Sequence, residues 1–407
     1  MINVKWFHLS QSIILKLSSA VVKFMLIKVI LMYINIEVYG MYTYSIAIFM
    51  FFMMLSRLGL DTYLQREVSS GNTSGNIAVG QVSVISVIST IVTGSVYLFF
   101  SGTEYETFWV FFLLSAFFFN ASWIYSYILK GAGYIKEAIA IYEVGLPLIN
   151  ISSILLLGRF LDGTKLLLLS FLISMLITFL LLLAFLYKRR VVTKFEIARP
   201  KVSESYGFSL ISISTMLLVM GDTYLIGILL SDYDVGVYTL TTKIGMFILL
   251  PTSVITTFLN NKISKNIGNV IAIKNLIVPS IILNGVIVSI FGMIIYILSP
   301  LILDFLSVSS DEAVIVLMLL KVYVVAQIMM GMSGIFESVL IMGGGQNDLF
   351  KINSLMVIIN LILGYLFITA FGLIGAVYST LISCIICRIL QVYIVNKKVF
   401  TVNVSVN

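Results

Sequence analysis

The side chains with chemistry to offer in this chain are charges set inside long apolar runs: Lys23, Lys28, Arg57 and Lys243, with the acids Asp61 and Asp222. An ionisable residue within a membrane-spanning helix costs about 2.5–3.5 kcal/mol on insertion scales, so each needs a partner, a wet cavity or a route to the interface. Lys28 and Lys243, about 9–10 Å from the outer ends of their runs, can partly snorkel outward, and Arg57 inward. Lys23 sits near the middle of its run and has no comfortable exit. Basic groups held at such depth suit anions, an arginine binding bidentately and a lysine as a point charge. Lys23 and Lys28 are about 140° apart around a helix, so both cannot face one spot squarely. Asp61 follows Arg57 by one turn and is expected to pair with it. Asp222 has no local cation. It must pair at long range, titrate, or hold a small cation such as Na⁺.

Other chemistries find little support. His8 is the single histidine, and Cys384 and Cys387 both lie inside the last apolar run, so neither a metal site nor a disulfide framework is expected. No Ser/His/Asp set, acidic metal cluster or Gly-rich phosphate loop can be picked out, and the chain is not expected to be an enzyme.

The elements that hold these charges are membrane helices. Hydrophobic residues make up 60% of the 407-residue chain and charged residues 11%, and the mean hydropathy is +1.11. This composition lies outside the range of soluble domains. Apolar runs predict twelve spans, at 11–34, 42–64, 77–100, 107–129, 138–157, 166–187, 206–230, 236–259, 275–298, 312–341, 350–370 and 372–395. The net charge of +7 follows topology rather than forming a nucleic-acid patch. Lys and Arg crowd one set of loops, around Arg66, Lys130, Lys136 and Lys188-Arg189-Arg190, while the opposite loops hold Glu37, Glu104, Asp162, Asp232, Asp234 and Asp311. The positive-inside rule then puts both termini in the cytoplasm. The first run lacks a small-residue cleavage site, so no cleaved signal peptide is expected. Pro147, Pro251 and Pro279 are expected to kink helices, and Trp109 and Trp123 to anchor at the interface.

The chain also reads as a duplication. Gly40, Tyr42, Thr43, Ile48, Met50 and Phe51 recur as Gly236, Tyr238, Thr239, Ile244, Met246 and Phe247. A fainter match pairs Gly131-Ala132-Gly133 with Gly343-Gly344-Gly345. The basic connection around 188–205, with Pro200, separates the copies, giving six-helix lobes over 1–195 and 196–407.

Val38-Tyr39-Gly40-Met41-Tyr42, Leu58-Gly59-Leu60-Asp61-Thr62-Tyr63 with Arg66-Glu67, Gly131-Ala132-Gly133, and Asp222 followed by Val235-Gly236-Val237-Tyr238 together carry a resemblance. The chain resembles the polysaccharide transporter family, the Wzx-type flippases of the MOP exporter superfamily, to which MATE drug exporters and MurJ-type lipid II flippases also belong. The resemblance implies an all-α fold with two pseudo-symmetric lobes around a central cavity lined by helices one, two, seven and eight. It implies a flippase that carries undecaprenyl-diphosphate-linked oligosaccharide, an O-antigen or related unit, across the bacterial inner membrane by alternating access. Lys23, Lys28, Arg57 and Lys243 would then bind substrate. Asp222 and Asp61 would serve gating or coupling to H⁺ or Na⁺, with a gate formed between Asp222 and Lys28 or Lys243. A polysaccharide polymerase and a chain-length regulator are the partners so implied, besides the membrane lipids. Glu143, Lys321, Glu337 and Arg388 fall on outer helices; for Glu143, Glu337 and Arg388, near the cytoplasmic ends, lobe-internal pairing or snorkelling is expected, and for the deeper Lys321 the reading stays open. The alternatives are a MATE-like exporter, which calls for an acidic aromatic cavity, and a membrane polymerase, which calls for a long outer loop.

Overall fold

The computed structural model describes residues 2–265, 270–342, 346–395 and 397, and all its regular elements are helical. The Gly343-Gly344-Gly345 half of the faint repeat lies outside the described residues. In chain order the helices are α1 (Ile2–Leu31), α2 (Ile36–Arg57), α3 (Leu60–Ser69), α4 (Gly75–Phe100), α5 (Glu106–Gly131), α6 (Ile135–Ala138), a π-helical segment (Ile139–Gly145), α7 (Leu146–Leu157), α8 (Gly163–Lys188), α9 (Val202–Leu229), α10 (Asp232–Met246), a 3₁₀ turn (Phe247–Leu249), α11 (Leu250–Lys265), α12 (Val270–Phe305), α13 (Ser310–Met342), α14 (Gln346–Phe371) and α15 (Leu373–Val395). Eleven helical stretches among the described residues are long and apolar enough to cross a membrane, and they correspond to the second through twelfth expected spans. The first span is α1, an apolar helix carrying Lys5, Lys16, Lys23 and Lys28.

Two compact units are present, Met1–Ile213 and Ser214–Asn407, and the division falls inside α9. In the first, Trp109, Phe49 and Phe112 are fully buried. Phe49 stacks on Phe112 at 4.7 Å, and Phe100 on Trp109 at 4.9 Å. Trp109 is therefore a core residue, not the interfacial anchor its position in the sequence suggests. In the second unit, Ile335, Ile263 and Ile277 anchor a cluster that also takes in Cys387. Both cysteines are buried free thiols.

The second span departs from expectation. It ends at Arg57 rather than continuing to residue 64, because Leu58 (φ 52°) and Gly59 (φ 73°) take left-handed backbone conformations and α3 restarts at Leu60. A side chain at Gly59 would also strike the backbone of Ser205 and Ser209. Arg57 thus closes α2 instead of lying a third of the way into it. The join between the last two spans is a true break: Gly372 adopts φ 65° between α14 and α15.

The connection after α8 is strapped to its unit. Asn76 Oδ1 accepts from the backbone N–H groups of Thr193 (2.8 Å) and Lys194 (3.1 Å), and Val192 is buried in the core. Gly75 and Gly80 of α4 approach so closely that a Cβ would collide with the carbonyls of Val191 and Glu196. Gly80→Ala is therefore expected to destabilise the protein by about 1–3 kcal/mol. Gly94→Ala, whose Cβ would meet only Leu113 Cδ1 at 3.6 Å, should be neutral or stabilising. Thermal unfolding of the two purified variants checks the contrast.

Candidate functional site

An aromatic ladder on α5 builds one wall of a cavity in the first unit. Phe119, Trp123 and Tyr127 recur at i, i+4 and i+8, so they line one helix face. Phe119 and Trp123 stack at 6.5 Å and Trp123 and Tyr127 at 5.9 Å. Tyr142 meets Trp123 edge-on at 5.7 Å. These rings, with Met50 and Met175, wall a cavity of 380 Å³ into which Lys23, Lys130 and Glu143 also project.

Backbone chemistry holds α1 against this cavity. The chain turns π-helical over Ile139–Gly145 and then meets Pro147 at the start of α7. Pro147 has no N–H to give to the carbonyl one turn earlier, that of Glu143. Ser19 Oγ donates to that carbonyl at 2.8 Å instead, and Lys23 lies one turn further along α1. The expected kink at Pro147 thus becomes a docking point. π-Helical insertions of this kind are frequent at functional sites.

The charges around the cavity are unequal. Lys130 Nζ donates to Glu143 Oε1 at 3.3 Å and stands 4.9 Å from the centroid of the Tyr127 ring, so those two charges largely offset each other. Lys23 is exposed to the cavity and forms no ion pair among the described residues. The surplus charge is one lysine against an aromatic wall.

Arg57 is brought to the same wall but not into the cavity. It is 3% exposed, with its guanidinium 4.4 Å from the Trp123 ring centroid and 5.7 Å from that of Phe119. Its Nε donates to Met53 O at 3.2 Å, and Nη1 lies 3.8 Å from Asp61 Oδ2. Asp61 Oδ2 also accepts from Trp123 Nε1 at 2.9 Å, and Oδ1 from the Thr62 N–H at 2.8 Å. Arg57 and Asp61 therefore grip Trp123 by its face and by its N–H. Trp123 is a cavity residue here, not an interfacial anchor. Lys28 lies further along α1 and does not line this cavity.

The second unit holds a different arrangement. Asp222 on α9 is 8% exposed. Its Oδ2 accepts from Tyr238 Oη at 2.7 Å and from Thr380 Oγ1 at 2.6 Å, while Oδ1 has no hydrogen-bond partner among the described residues. Thr380 has a single hydroxyl hydrogen and also lies 2.9 Å from Ala376 O, so its support of Asp222 is shared. Asn360 on α14 stands beside the carboxyl group. Gly364 packs beside it: a Cβ there would stand 4.0 Å from Oδ1 and strike Leu225 Cδ1 at 2.7 Å. Asp222 makes no ion pair among the described residues; its hydrogen bonds come from hydroxyls. Lys243, half-buried on α10, is not among them. A buried carboxyl group with neutral donors and one unsatisfied oxygen has the chemistry to take up a proton or a small cation.

Elsewhere in this unit, Gln391 bridges two intramembrane charges. It accepts from Arg388 Nη1 at 2.7 Å and donates to Glu337 Oε1 at 3.3 Å. No cluster of three or more His, Cys, Asp or Glu side chains able to hold a metal occurs among the described residues.

No protein-family model matches the chain, and no curated protein matches it. Solved structures do. The chain superposes on an inward-facing multidrug resistance MATE family transporter of the MOP superfamily with a TM-score of 0.78 at 15% identity, over 98% of this chain and 96% of that one. The chain has the fold of the MOP-superfamily transporters. The lipid II flippase MurJ, in an inward closed conformation, gives a TM-score of 0.75 at 16% identity, over 94% of this chain and 87% of that one. A MOP superfamily transporter from Pyrococcus furiosus, described as having a binding pocket of reversed polarity, gives 0.66 at 14% identity over 97% and 96%. Within the MOP fold of this chain, the aromatic ladder was open to detection from its 119/123/127 spacing, and the Lys130–Glu143 pair was not. Its thirteen-residue separation corresponds to no neighbouring positions on a single helix.

Proposed function

We propose that the chain is a flippase of the bacterial inner membrane that moves an undecaprenyl-diphosphate-linked oligosaccharide to the outer face by alternating access. The observation that carries this reading is Lys23, a lysine without an ion-pair partner among the described residues, facing an aromatic cavity inside an apolar unit. Phosphate oxygens leaving water need charged donors, and Lys23 supplies one. The aromatic rings supply the stacking faces that sugar rings use. The cavity's 380 Å³ fits a headgroup portion rather than a whole repeat unit. Lys28, Lys243 and the Arg57–Asp61 pair assist as further basic positions and as support for the wall. In a strain lacking this gene, lipid-linked repeat units should accumulate facing the cytoplasm and surface glycan should disappear; unchanged surface glycan would refute the reading.

A MATE-like exporter of small organic molecules is the second reading. It is favoured by the same ring ladder and by Glu143, since drug-sized ligands fill cavities of about 300–1,000 Å³. The Lys130 contact to Glu143 weighs against it, because the one acid in the wall is already neutralised.

Asp222 is the proposed coupling group, loading H⁺ or Na⁺ when its surroundings open to water. Asp222→Asn keeps the shape and removes the charge. It should leave the protein folded and reduce gradient-driven transport at least about tenfold, a loss of about 1.4 kcal/mol in driving interaction. Transport measured with and without an imposed proton or sodium gradient checks this. Full gradient dependence in the variant would exclude Asp222.

A further inference from the structure

Lys321 belongs to neither cluster. It lies on α13, eleven residues in from Ser310, about 16 Å along the helix. Its side chain is exposed, and it stands in the exposed stripe Val314, Met318, Lys321, Val325, where its neighbours are apolar (68%, 44% and 44% exposed for the other three). That spacing of four, three and four residues is one helix face. Across from it, α12 exposes Ile297 (64%) and Leu301 (67%). Between the two helices runs a groove of 550 Å³ that Lys321, Tyr296, Pro300 and Met318 help to line.

An exposed lysine inside an apolar stripe is a charge facing hydrocarbon. It has no ion pair or hydrogen bond among the described residues. The described lining of the groove holds no carboxylate; its polar side chains besides Lys321 are the hydroxyls of Tyr296 and Ser299. Pro300 sits inside α12 and cannot donate to Tyr296 O, but that carbonyl is already taken by Ser299 Oγ at 2.6 Å. The Ser299 hydroxyl and the Tyr296 carbonyl are thus engaged with each other within α12. The lysine ammonium is left to find its anion outside the protein.

We propose that the α12–α13 groove is a binding site for one anionic phospholipid from the leaflet at the Ser310 end of α13. The Lys321 side chain extends toward the Ser310 end to meet the phosphate, and an acyl chain runs deeper along the same stripe, past Val325. Charge complementarity selects an anionic headgroup over a zwitterionic one, whose own cation competes with the lysine. The apolar lining selects a lipid over free phosphate. This site is independent of the transport reading and of the cavity that contains Lys23.

Native mass spectrometry of the purified protein with phosphatidylglycerol, phosphatidylcholine or inorganic phosphate tests it. The wild type should retain phosphatidylglycerol in preference to phosphatidylcholine. Lys321→Gln should bind phosphatidylglycerol about fivefold more weakly, equivalent to about 1 kcal/mol, and Lys321→Arg should restore it. Lys188→Gln, which removes an exposed lysine at the end of α8, should change nothing. Equal retention of the two lipids by the wild type, equal phosphatidylglycerol retention in Lys321→Gln, or an equal loss in Lys188→Gln would overturn the site. So would inorganic phosphate displacing the lipid.

Discussion

Lys23→Ala is expected to abolish surface glycan in cells while the protein remains in the membrane at its normal level. Lys23 has no ion-pair partner among the described residues whose loss would unfold anything, and it is exposed in its cavity. Removing it should therefore leave stability within about 0.5 kcal/mol. What disappears is a charge-assisted hydrogen bond to an anion coming out of water, about 1.5–3 kcal/mol, or about 10- to 150-fold in binding. Lys23→Arg should retain part of the activity, because the charge is kept while its geometry changes. Immunoblots of membrane fractions beside glycan staining check both halves. A Lys23→Ala strain with full surface glycan would remove the cationic cavity from the mechanism.

Arg57→Ala is expected to fail for a different reason. Arg57 is buried against Trp123 and beside Asp61. Removing one partner of a buried ion pair typically costs about 3–5 kcal/mol, because the other charge stays behind. Asp61 would keep the Trp123 and Thr62 N–H donors and lose its only cation among the described residues. The variant should show a sharply lower unfolding temperature and reduced membrane levels, with glycan lost as a consequence. Arg57→Leu combined with Asp61→Asn removes both charges and leaves an acceptor for the Trp123 N–H. It should recover most of the protein level. If Arg57→Ala instead accumulates normally and glycan is lost, the guanidinium acts on the substrate directly. Denaturation midpoints of the three proteins separate these outcomes.

These two residues show where the sequence is informative and where it stops. Hydropathy locates spans three to seven and ten to twelve to within about four residues, because the bilayer demands long apolar runs whatever the tertiary structure. The i, i+4 relation of Arg57 and Asp61 is local and could be foreseen. The break at Leu58-Gly59 could not, since the Leu-Gly-Leu run stays apolar and the turn is required by close approach to Ser205 and Ser209, far along the chain. Trp123 was ambiguous for a physical reason: interfacial anchoring and cavity lining favour the same amphipathic ring. Only its N–H bond to Asp61 and its stacking neighbours decide between them. The Ser19 bond to the Glu143 carbonyl, which seats Lys23, depends on a π-helical segment that no periodicity announces.

The central claim is that the first unit's cavity receives the phosphate of a lipid-linked sugar through Lys23. The most direct measurement is transbilayer movement of a fluorescent polyprenyl-diphosphate sugar in proteoliposomes containing the purified protein, with and without an imposed ion gradient. The account predicts protein-dependent movement that drops at least about tenfold in Lys23→Ala and that organic cations do not inhibit. Movement unchanged in Lys23→Ala, or uptake of organic cations with no movement of the lipid, would contradict it.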